Sequence, residues 1–190
     1  MKGIIFNLLE DMVAGEGGDS AWDELLVEAD LDGGYSAIGN YPDQQLLTLV
    51  AARARAAGID PDEVTRAFGS HALAGLAARY PQFFEPYTQT LPFLLTLNDV
   101  IHPEVRKLHA DSDPPVFEFD DSVPGRLVIG YSSRRGLCVF AEGMISGAAA
   151  HYGDRMTITQ PQCMHRGADS CLIECVVESG GASGGHHPDD

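Results

Sequence analysis

Three polar side chains occupy alternate positions in the segment IGYSSRRGL: Tyr131, Ser133 and Arg135. In an extended chain, alternate residues point to the same side, about 6.6 Å apart. All three side chains donate hydrogen bonds and the guanidinium is permanently charged, so the trio suits an anion such as a carboxylate or a phosphate. The same pattern is also typical of a polar strand end that bonds to solvent and loop backbone, and the spacing alone leaves both interpretations open.

A lone histidine, His102, lies in the apolar segment LLTLNDVIHPEV. In such surroundings a histidine is usually a core residue that forms one backbone hydrogen bond. The alternative is a metal ligand, because a neutral imidazole in a pocket of low polarity coordinates haem iron well. Pro103 cannot donate a helical hydrogen bond and disfavours α geometry at His102, so we expect the helix to be kinked or restarted there.

The elements that must position these residues follow from the hydrophobic periodicity. Apolar residues at helical spacing predict five helices, in the segments GIIFNLLEDMV, SAWDELLVEADL, YPDQQLLTLVAARARAAG, DPDEVTRAFGSHALAGLAARY and TLPFLLTLNDVIHPEVRKLH. Ser20 is predicted to cap the second helix, and Gly58 is predicted to end the third. Asp60 is predicted to cap the fourth helix, with Pro61 just inside it.

The pattern changes to strands after the segment ADSDPPVF. The segments PVFEFDD and GRLVIGYSS predict two strands around a turn at Pro124-Gly125, and RMTITQPQ and SCLIECVVES predict two more. A helix is expected between the two pairs, from about Gly136 to Tyr152. Helices followed by an antiparallel sheet that one helix crosses predict an α+β fold. We expect one domain over 1–178, mainly helical to about 110, and a disordered Gly-rich tail over 179–190.

Composition excludes several functions. The chain of 190 residues carries 28 acidic and 12 basic residues, a formal net charge of -16. This excess argues against binding nucleic acid or an anionic membrane surface through bulk charge. We predict neither a signal peptide nor a membrane span, so the expected compartment is the cytoplasm. No catalytic dyad is present in the sequence pattern and the carboxylates are typical of a solvated surface, so an enzyme is not expected.

The chain resembles the haem nitric oxide/oxygen binding (H-NOX) family from Met1 to about Glu178. The similar segments are MKGIIFNLLEDMV, the helix around His102, DPPVF, YSSRRGLCVFAEG and CMHRGADSCLI. The Tyr-x-Ser-x-Arg element is the hallmark of that family. The resemblance implies a haem b group seated between the helical subdomain and the sheet subdomain.

The resemblance also implies roles for individual residues. His102 would be the proximal ligand to ferrous haem iron. Tyr131, Ser133 and Arg135 would hold the haem propionates, and Arg135 can bind a carboxylate with two hydrogen bonds. Pro115 resembles the proline that presses on the porphyrin and distorts it.

The other face of the haem would decide which gas binds. Oxygen-binding members of the family place a tyrosine hydroxyl where this chain has Phe140, and Leu9 and Ala72 also lack donors. An apolar distal wall of Ile5, Leu9, Phe140 and Met144 predicts binding of NO and CO with O₂ excluded, because bound O₂ gains from a hydrogen-bond donor and NO needs none. Without the resemblance, these residues would be interpreted as ordinary core.

Some bacterial members of the family hold zinc with three cysteines and a histidine. The three matching cysteines here are Cys138, Cys163 and Cys171. The family's histidine falls where this chain has Gln160, but His165 is a possible fourth ligand, and Cys175 is a poorer one because it lies about 13 Å along a strand from Cys171. A redox-active thiol cluster and inert buried cysteines are the alternatives to zinc.

The function that the resemblance implies is a haem-based NO sensor. NO bound to ferrous haem would break the iron–His102 bond and release its helix, a two-state element biased by a ligand. The chain has no kinase, cyclase or phosphodiesterase motif, so its output requires a separate partner, a histidine kinase or a diguanylate cyclase/phosphodiesterase. Two other interpretations stay open: a cysteine/zinc redox sensor and a haem-free small-ligand binding domain.

Overall fold

The computed structural model describes residues 1–108 and 114–178. Within them lie seven α-helices: α1 (Gly3–Gly17), α2 (Asp19–Ala29), α3 (Asp43–Ala57), α4 (Pro61–Arg79), α5 (Thr90–Leu94), α6 (His102–Leu108) and α7 (Cys138–Tyr152). The same residues form four strands: β1 (Phe117–Asp120), β2 (Arg126–Tyr131), β3 (Met156–Gln162) and β4 (Cys171–Val177). The predicted disordered tail, 179–190, lies outside the described residues.

Local signals explain several of the helix ends. The Asp60 carboxylate accepts a hydrogen bond from the amide of Asp62 at 2.7 Å, and Pro61 opens α4, as predicted. Gly58 ends α3 with a φ of 67°, which a glycine adopts without strain. The predicted cap at Ser20 is wrong: α2 begins at Asp19, because the chain turns at Gly18 with a φ of 82°, and no side chain caps it.

The segment around the lone histidine consists of three short helical pieces. α5 is followed by a π-helical turn over Leu97–Ile101, and α6 begins at His102. The predicted restart is therefore confirmed, and Pro103 lies in the first turn of α6, where a missing N–H costs little. His102 itself has α-helical angles, φ -65° and ψ -37°, so the expectation that Pro103 would disfavour them was wrong.

The strands form one antiparallel sheet in the order β1-β2-β4-β3. Tyr131, the last residue of β2, is in register with Phe117 on one side and with Cys171 on the other. α7 connects β2 to β3. The predicted α+β fold, helices followed by an antiparallel sheet with one helix inserted, is confirmed.

Helix α7 packs closely on α4, and two glycines make the approach possible. A Cβ atom on Gly143 would lie 2.2 Å from the carbonyl oxygen of Arg66, and one on Gly69 would lie 2.4 Å from that of Phe140. Arg66 also forms an ion pair with Glu142 at 3.1 Å. This contact ties the sheet half of the chain to the helical half.

Two main clusters of buried residues form the core. One joins α1 to α4 through residues such as Phe6, Leu8 and Phe68, and the other lies on the sheet, around Leu127 and Ile173. In the described ranges, 1–108 and 114–178, no helix has the length and the apolar character needed to cross a membrane.

Candidate functional site

A cavity of ≈ 310 Å³ opens between the helices and the sheet. Eight of the nine residues predicted to bind the cofactor line it: Ile5, His102, Pro115, Tyr131, Ser133, Arg135, Phe140 and Met144. The ninth, Leu9, is fully buried in the core of the helical half and is not part of the lining, and Ala72 is equally buried. The prediction that Leu9 forms part of the distal wall is therefore not supported by its position.

His102 presents a neutral imidazole to this cavity. Burial lowers the pKa of His102 to about 4; the charge of Arg106 acts in the same direction, and the Pro115 carbonyl opposes both. The Nδ1 atom of the ring is buried and has no hydrogen-bond partner within the described residues. A buried nitrogen without a partner is costly, and a metal ion is one group that would satisfy it.

The polar end of the cavity is built from a strand end and a turn. Tyr131 closes β2, and Ser133 begins a turn in which the amide of Gly136 bonds to the Ser133 carbonyl at 3.1 Å. The predicted continuous extended segment is therefore wrong, because Gly136, with a φ of 62°, turns the chain. The turn still brings Tyr131, Ser133 and Arg135 to one cavity.

Hydrogen bonds hold two of these side chains in place. The Tyr131 hydroxyl oxygen accepts from the amide of Leu137 at 3.1 Å, and the Ser133 hydroxyl accepts from the amide of Arg135 at 3.2 Å. The Ser133 and Tyr131 side chains also hydrogen-bond to each other, so one of the two hydroxyl hydrogens remains for another acceptor. Tyr131 is 2 % exposed, and burial raises its pKa, so it acts as a neutral donor.

Arg135 has a partner that sequence reasoning missed. Its Nε atom lies 2.9 Å from Oδ2 of Asp43, the first residue of α3, and the other carboxylate oxygen of Asp43 lies 2.6 Å from the Met1 ammonium group. The pairing joins the two halves of the chain beside the polar end of the cavity. No local pattern could have revealed it, because the two residues are far apart in the sequence.

The distal wall is less uniform than predicted. Ile5, Phe140 and Met144 line the cavity, and the Phe140 ring lies 5.0 Å from that of Phe68. Tyr80, at the C-terminal end of α4, also lines the cavity and carries a hydroxyl. Its helical spacing from Leu73 and Leu76, which line the same cavity, is the sequence signal that could have identified it.

Three of the cysteines form a separate group that packs in one buried cluster with Tyr131. The Sγ atoms of Cys138, Cys163 and Cys171 lie within 4.8 Å of one another, and all three side chains are buried. The Cys138 and Cys163 sulfurs are 3.8 Å apart. Burial and the neighbouring thiols raise the pKa of Cys138 to about 12, against a hydrogen bond from Gln160 that lowers it.

The other candidate zinc ligands lie elsewhere. His165 is exposed and its Nε2 atom lies 2.7 Å from the Gly136 carbonyl oxygen. Cys175 is buried in the core cluster of the sheet, where burial and the charge of Glu142 raise its pKa to about 12. In the described part of the chain, the three-thiol group therefore has no histidine or carboxylate as a fourth member.

The sequence model of the family described as Haem-NO-binding matches residues 2–160. The chain belongs to this haem-NO-binding, or H-NOX, family. Domains of the family bind gas ligands at a haem and act as sensors. No significant match was found among curated proteins.

Solved H-NOX structures share the fold over almost the whole chain. An H-NOX protein from S. oneidensis in the Fe(II)NO ligation state is 35% identical, with a TM-score of 0.88, over 94% of this chain and 100% of that one. An H-NOX domain from Shewanella oneidensis in the Fe(II)CO state is 34% identical, with a TM-score of 0.87, over 94% of this chain and 99% of that one. The unliganded Fe(II) H-NOX protein from K. algicida shares the fold at 23% identity, with a TM-score of 0.84 and coverage of 94% and 97%.

The cavity of this H-NOX chain fits a haem group. Its lining offers a neutral imidazole with a nitrogen that lacks a partner, apolar walls, and at one end two hydroxyls and a guanidinium. These are the groups that an iron, a porphyrin and two carboxylates require. The three thiols fit zinc only in part, because a tetrahedral structural site needs four ligands and His165 does not join them.

Proposed function

We propose that this H-NOX chain binds haem b in its central cavity and senses NO there. The observation that carries the proposal is the His102 imidazole: it faces the cavity, its pKa is lowered to about 4 and its Nδ1 atom has no partner. An imidazole that is neutral at physiological pH offers a lone pair to iron. CO would bind at the same place.

Each lining residue has a role in this proposal. Tyr131, Ser133 and Arg135 would bind the propionates with two hydroxyl groups and one charge, while Pro115 would pack against the porphyrin on the His102 side. Ile5, Phe140 and Met144 would cover the opposite face, where their apolar surfaces give bound O₂ no hydrogen-bond donor. This wall favours NO and CO over O₂.

A bound haem would supply a ferrous iron as the binding site for NO, with His102 as its protein ligand, and the loss of the His102 ligand is the change that NO would bring about. The response of the protein then depends on His102 and α6. Once the imidazole is free, α6 has lost one of the contacts that hold it, so its equilibrium position shifts. A ligand-dependent shift of this kind is a population change between two states.

The output would reach a separate signalling protein in the cytoplasm, a histidine kinase or an enzyme of cyclic-di-GMP metabolism. One feature supports a partner: domains of this family are sensors. α6 has exposed basic residues, Arg106 and Lys107, on a chain of net charge -16. An acidic surface on the partner would complement this helix.

Absorption spectroscopy tests the proposal. Haem-loaded, reduced protein should give shifted Soret bands with NO and with CO and an unchanged spectrum in air over the time of the measurement. His102→Gly should lose most of its haem during gel filtration, unless imidazole is supplied in the buffer. A haem-supplemented protein without a Soret band would overturn haem binding, and a stable O₂ complex would overturn only the gas selectivity.

The three-thiol group favours a second candidate function, redox sensing at Cys138, Cys163 and Cys171, with or without bound zinc. The 3.8 Å separation of the Cys138 and Cys163 sulfurs places two thiols in non-bonded contact, and they would have to approach further to form a disulfide. Metal analysis combined with thiol titration tests it. Reversible oxidation of two thiols per chain by peroxide, together with a partner response that NO does not change, would favour this function over NO sensing.

A further inference from the structure

The side chain of Asn98 forms two hydrogen bonds to one residue of the sheet. Its Nδ2 donates to the carbonyl oxygen of Phe117 at 2.7 Å, and its Oδ1 accepts from the Phe117 amide at 3.0 Å. β1 is an edge strand that pairs only with β2 in the sheet, so the carboxamide takes the place of a neighbouring strand at its first residue. Both hydrogen bonds lie in partly buried surroundings, where losing a partner is costly.

Asn98 belongs to the π-helical turn that directly precedes His102. In this turn, the amides of Val100 and Ile101 both bond to the Thr96 carbonyl, at 2.9 and 3.1 Å. A π turn places one more residue in the turn than an α-helix does, and such turns are often found at functional sites. The turn therefore sets where His102 begins α6, and conversion to α-helix would rotate the imidazole away from its position.

Phe117 connects the Asn98 carboxamide to the cavity. Its backbone is held by Asn98, while its ring lines the cavity with a centroid 5.6 Å from that of the His102 imidazole. Pro115, which also lines the cavity, lies two residues before it. The Asn98 side chain thus links the π turn that precedes His102 to the start of β1. Pro115 and Phe117, which line the cavity with His102, lie at this start.

We propose that Asn98 is a positioning residue for His102: its carboxamide holds the π turn against Phe117 and thereby fixes the imidazole relative to the bound haem. This inference rests on the proposed function, because it concerns His102 as the iron ligand. Asn98 does not touch the iron or the gas. It resists displacement of His102. When His102 does move, the hydrogen bonds of Asn98 would transmit the movement to the segment that contains Pro115 and Phe117.

The test compares Asn98→Ala and Asn98→Asp in the haem-loaded, reduced protein. Alanine removes both hydrogen bonds, whereas aspartate keeps the acceptor for the Phe117 amide and loses the donor. The iron–histidine stretching frequency, measured by resonance Raman spectroscopy, should shift in Asn98→Ala and shift less in Asn98→Asp. Asn7→Ala is the matched control, because Asn7 donates one side-chain hydrogen bond, to the Tyr35 carbonyl at 2.9 Å, and does not line the cavity.

A second measurement does not depend on haem. Hydrogen exchange of the Phe117 amide in the haem-free protein should be roughly fivefold faster in Asn98→Ala, the change expected when one ordinary hydrogen bond is lost. Unchanged exchange at Phe117, or an unchanged iron–histidine frequency at full haem content, would overturn the role of Asn98. If the wild-type protein took up no haem, the proposed function would fall, and the exchange result would still show whether Asn98 holds the turn.

Discussion

At the scale of single residues, chemistry depends on how burial changes ordinary side chains. His102 is an unremarkable histidine in sequence, yet burial lowers its pKa to about 4 and leaves Nδ1 without a partner. Residue type and spacing marked His102, Tyr131, Ser133 and Arg135 as candidates because these are local properties, and the family resemblance supplied the roles predicted for them. Sequence reasoning could not identify Asp43 or Asn98, because their partners are distant in the chain.

The lowered pKa of His102 predicts how haem retention depends on pH. Protons and iron compete for the imidazole, and a base whose folded-state pKa is about 4 stays neutral down to nearly that pH. Haem-loaded protein should therefore keep its Soret band unchanged from pH 8 to about 5.5, as absorbance titration would show. A histidine of ordinary pKa, about 6.5, and the same affinity for iron would meet competition from protons at a higher pH, so a loss of haem with a midpoint near 6.5 would contradict the prediction.

The apolar distal wall predicts the effect of one added hydroxyl. Phe140→Tyr places a donor in the lining opposite the proposed position of His102, and one hydrogen bond of about 1.4 kcal/mol would strengthen O₂ binding about tenfold. Stopped-flow measurement of O₂ association and dissociation checks it, with Phe140→Leu as the control that removes the ring and adds no donor. Tyr80→Phe should leave O₂ binding unchanged; a decrease would show that the native hydroxyl already reaches the gas.

At the scale of elements, the region before and after His102 shows where pattern-based prediction is incomplete. Hydrophobic periodicity predicted one interrupted helix, and Pro103 predicted the restart. The structure divides the segment further, into α5, a π turn and α6. Asn98 in this turn forms hydrogen bonds to Phe117, a tertiary interaction that helical periodicity does not contain. The same limit applies to the turn at Gly136, which replaced the predicted extended segment.

Pro103→Ala tests whether the break before α6 serves the response to NO. Alanine supplies an amide that can bond back into the π turn, so the helix becomes more continuous and holds His102 more firmly. The fraction of the NO complex that keeps the histidine bound should rise, by about fivefold in its equilibrium constant for one added hydrogen bond. Absorption or electron paramagnetic resonance spectra report this fraction.

Glu104→Ala is the control for that experiment. Glu104 follows Pro103 in the first turn of α6 and pairs with Lys107, so its loss weakens α6 without altering the π turn. Equal effects of the two substitutions, or NO spectra and partner response that do not change in Pro103→Ala, would count against a role for the proline.

At the scale of the whole molecule, the two halves of the chain meet at the cavity and are joined by close helix packing and by charged contacts. The close packing of α4 and α7 at Gly69 and Gly143 is one connection, and the ion pair between Arg66 and Glu142 adds to it. At the polar end, Asp43 links Arg135 to the N-terminal ammonium group. A haem bound between the halves would share Arg135 with Asp43.

Asp43→Asn distinguishes the ion pair that Arg135 forms with Asp43 from its proposed binding of a haem propionate. The substitution removes both ion pairs of Asp43, so the haem-free protein should lose about 1 kcal/mol of unfolding free energy in urea, as expected for partly exposed pairs. The same change removes one negative charge from beside Arg135, which strengthens the attraction of the guanidinium to a propionate. Haem transfer to excess apomyoglobin should therefore become slower although the protein is less stable.

Asp11→Asn is the control. It breaks the ion pair between Asp11 and Arg79, at 3.1 Å, and Asp11 does not line the cavity, so the transfer rate should not change. Faster haem loss in Asp43→Asn would show that Asp43 orients Arg135 for the cofactor and does not compete with it.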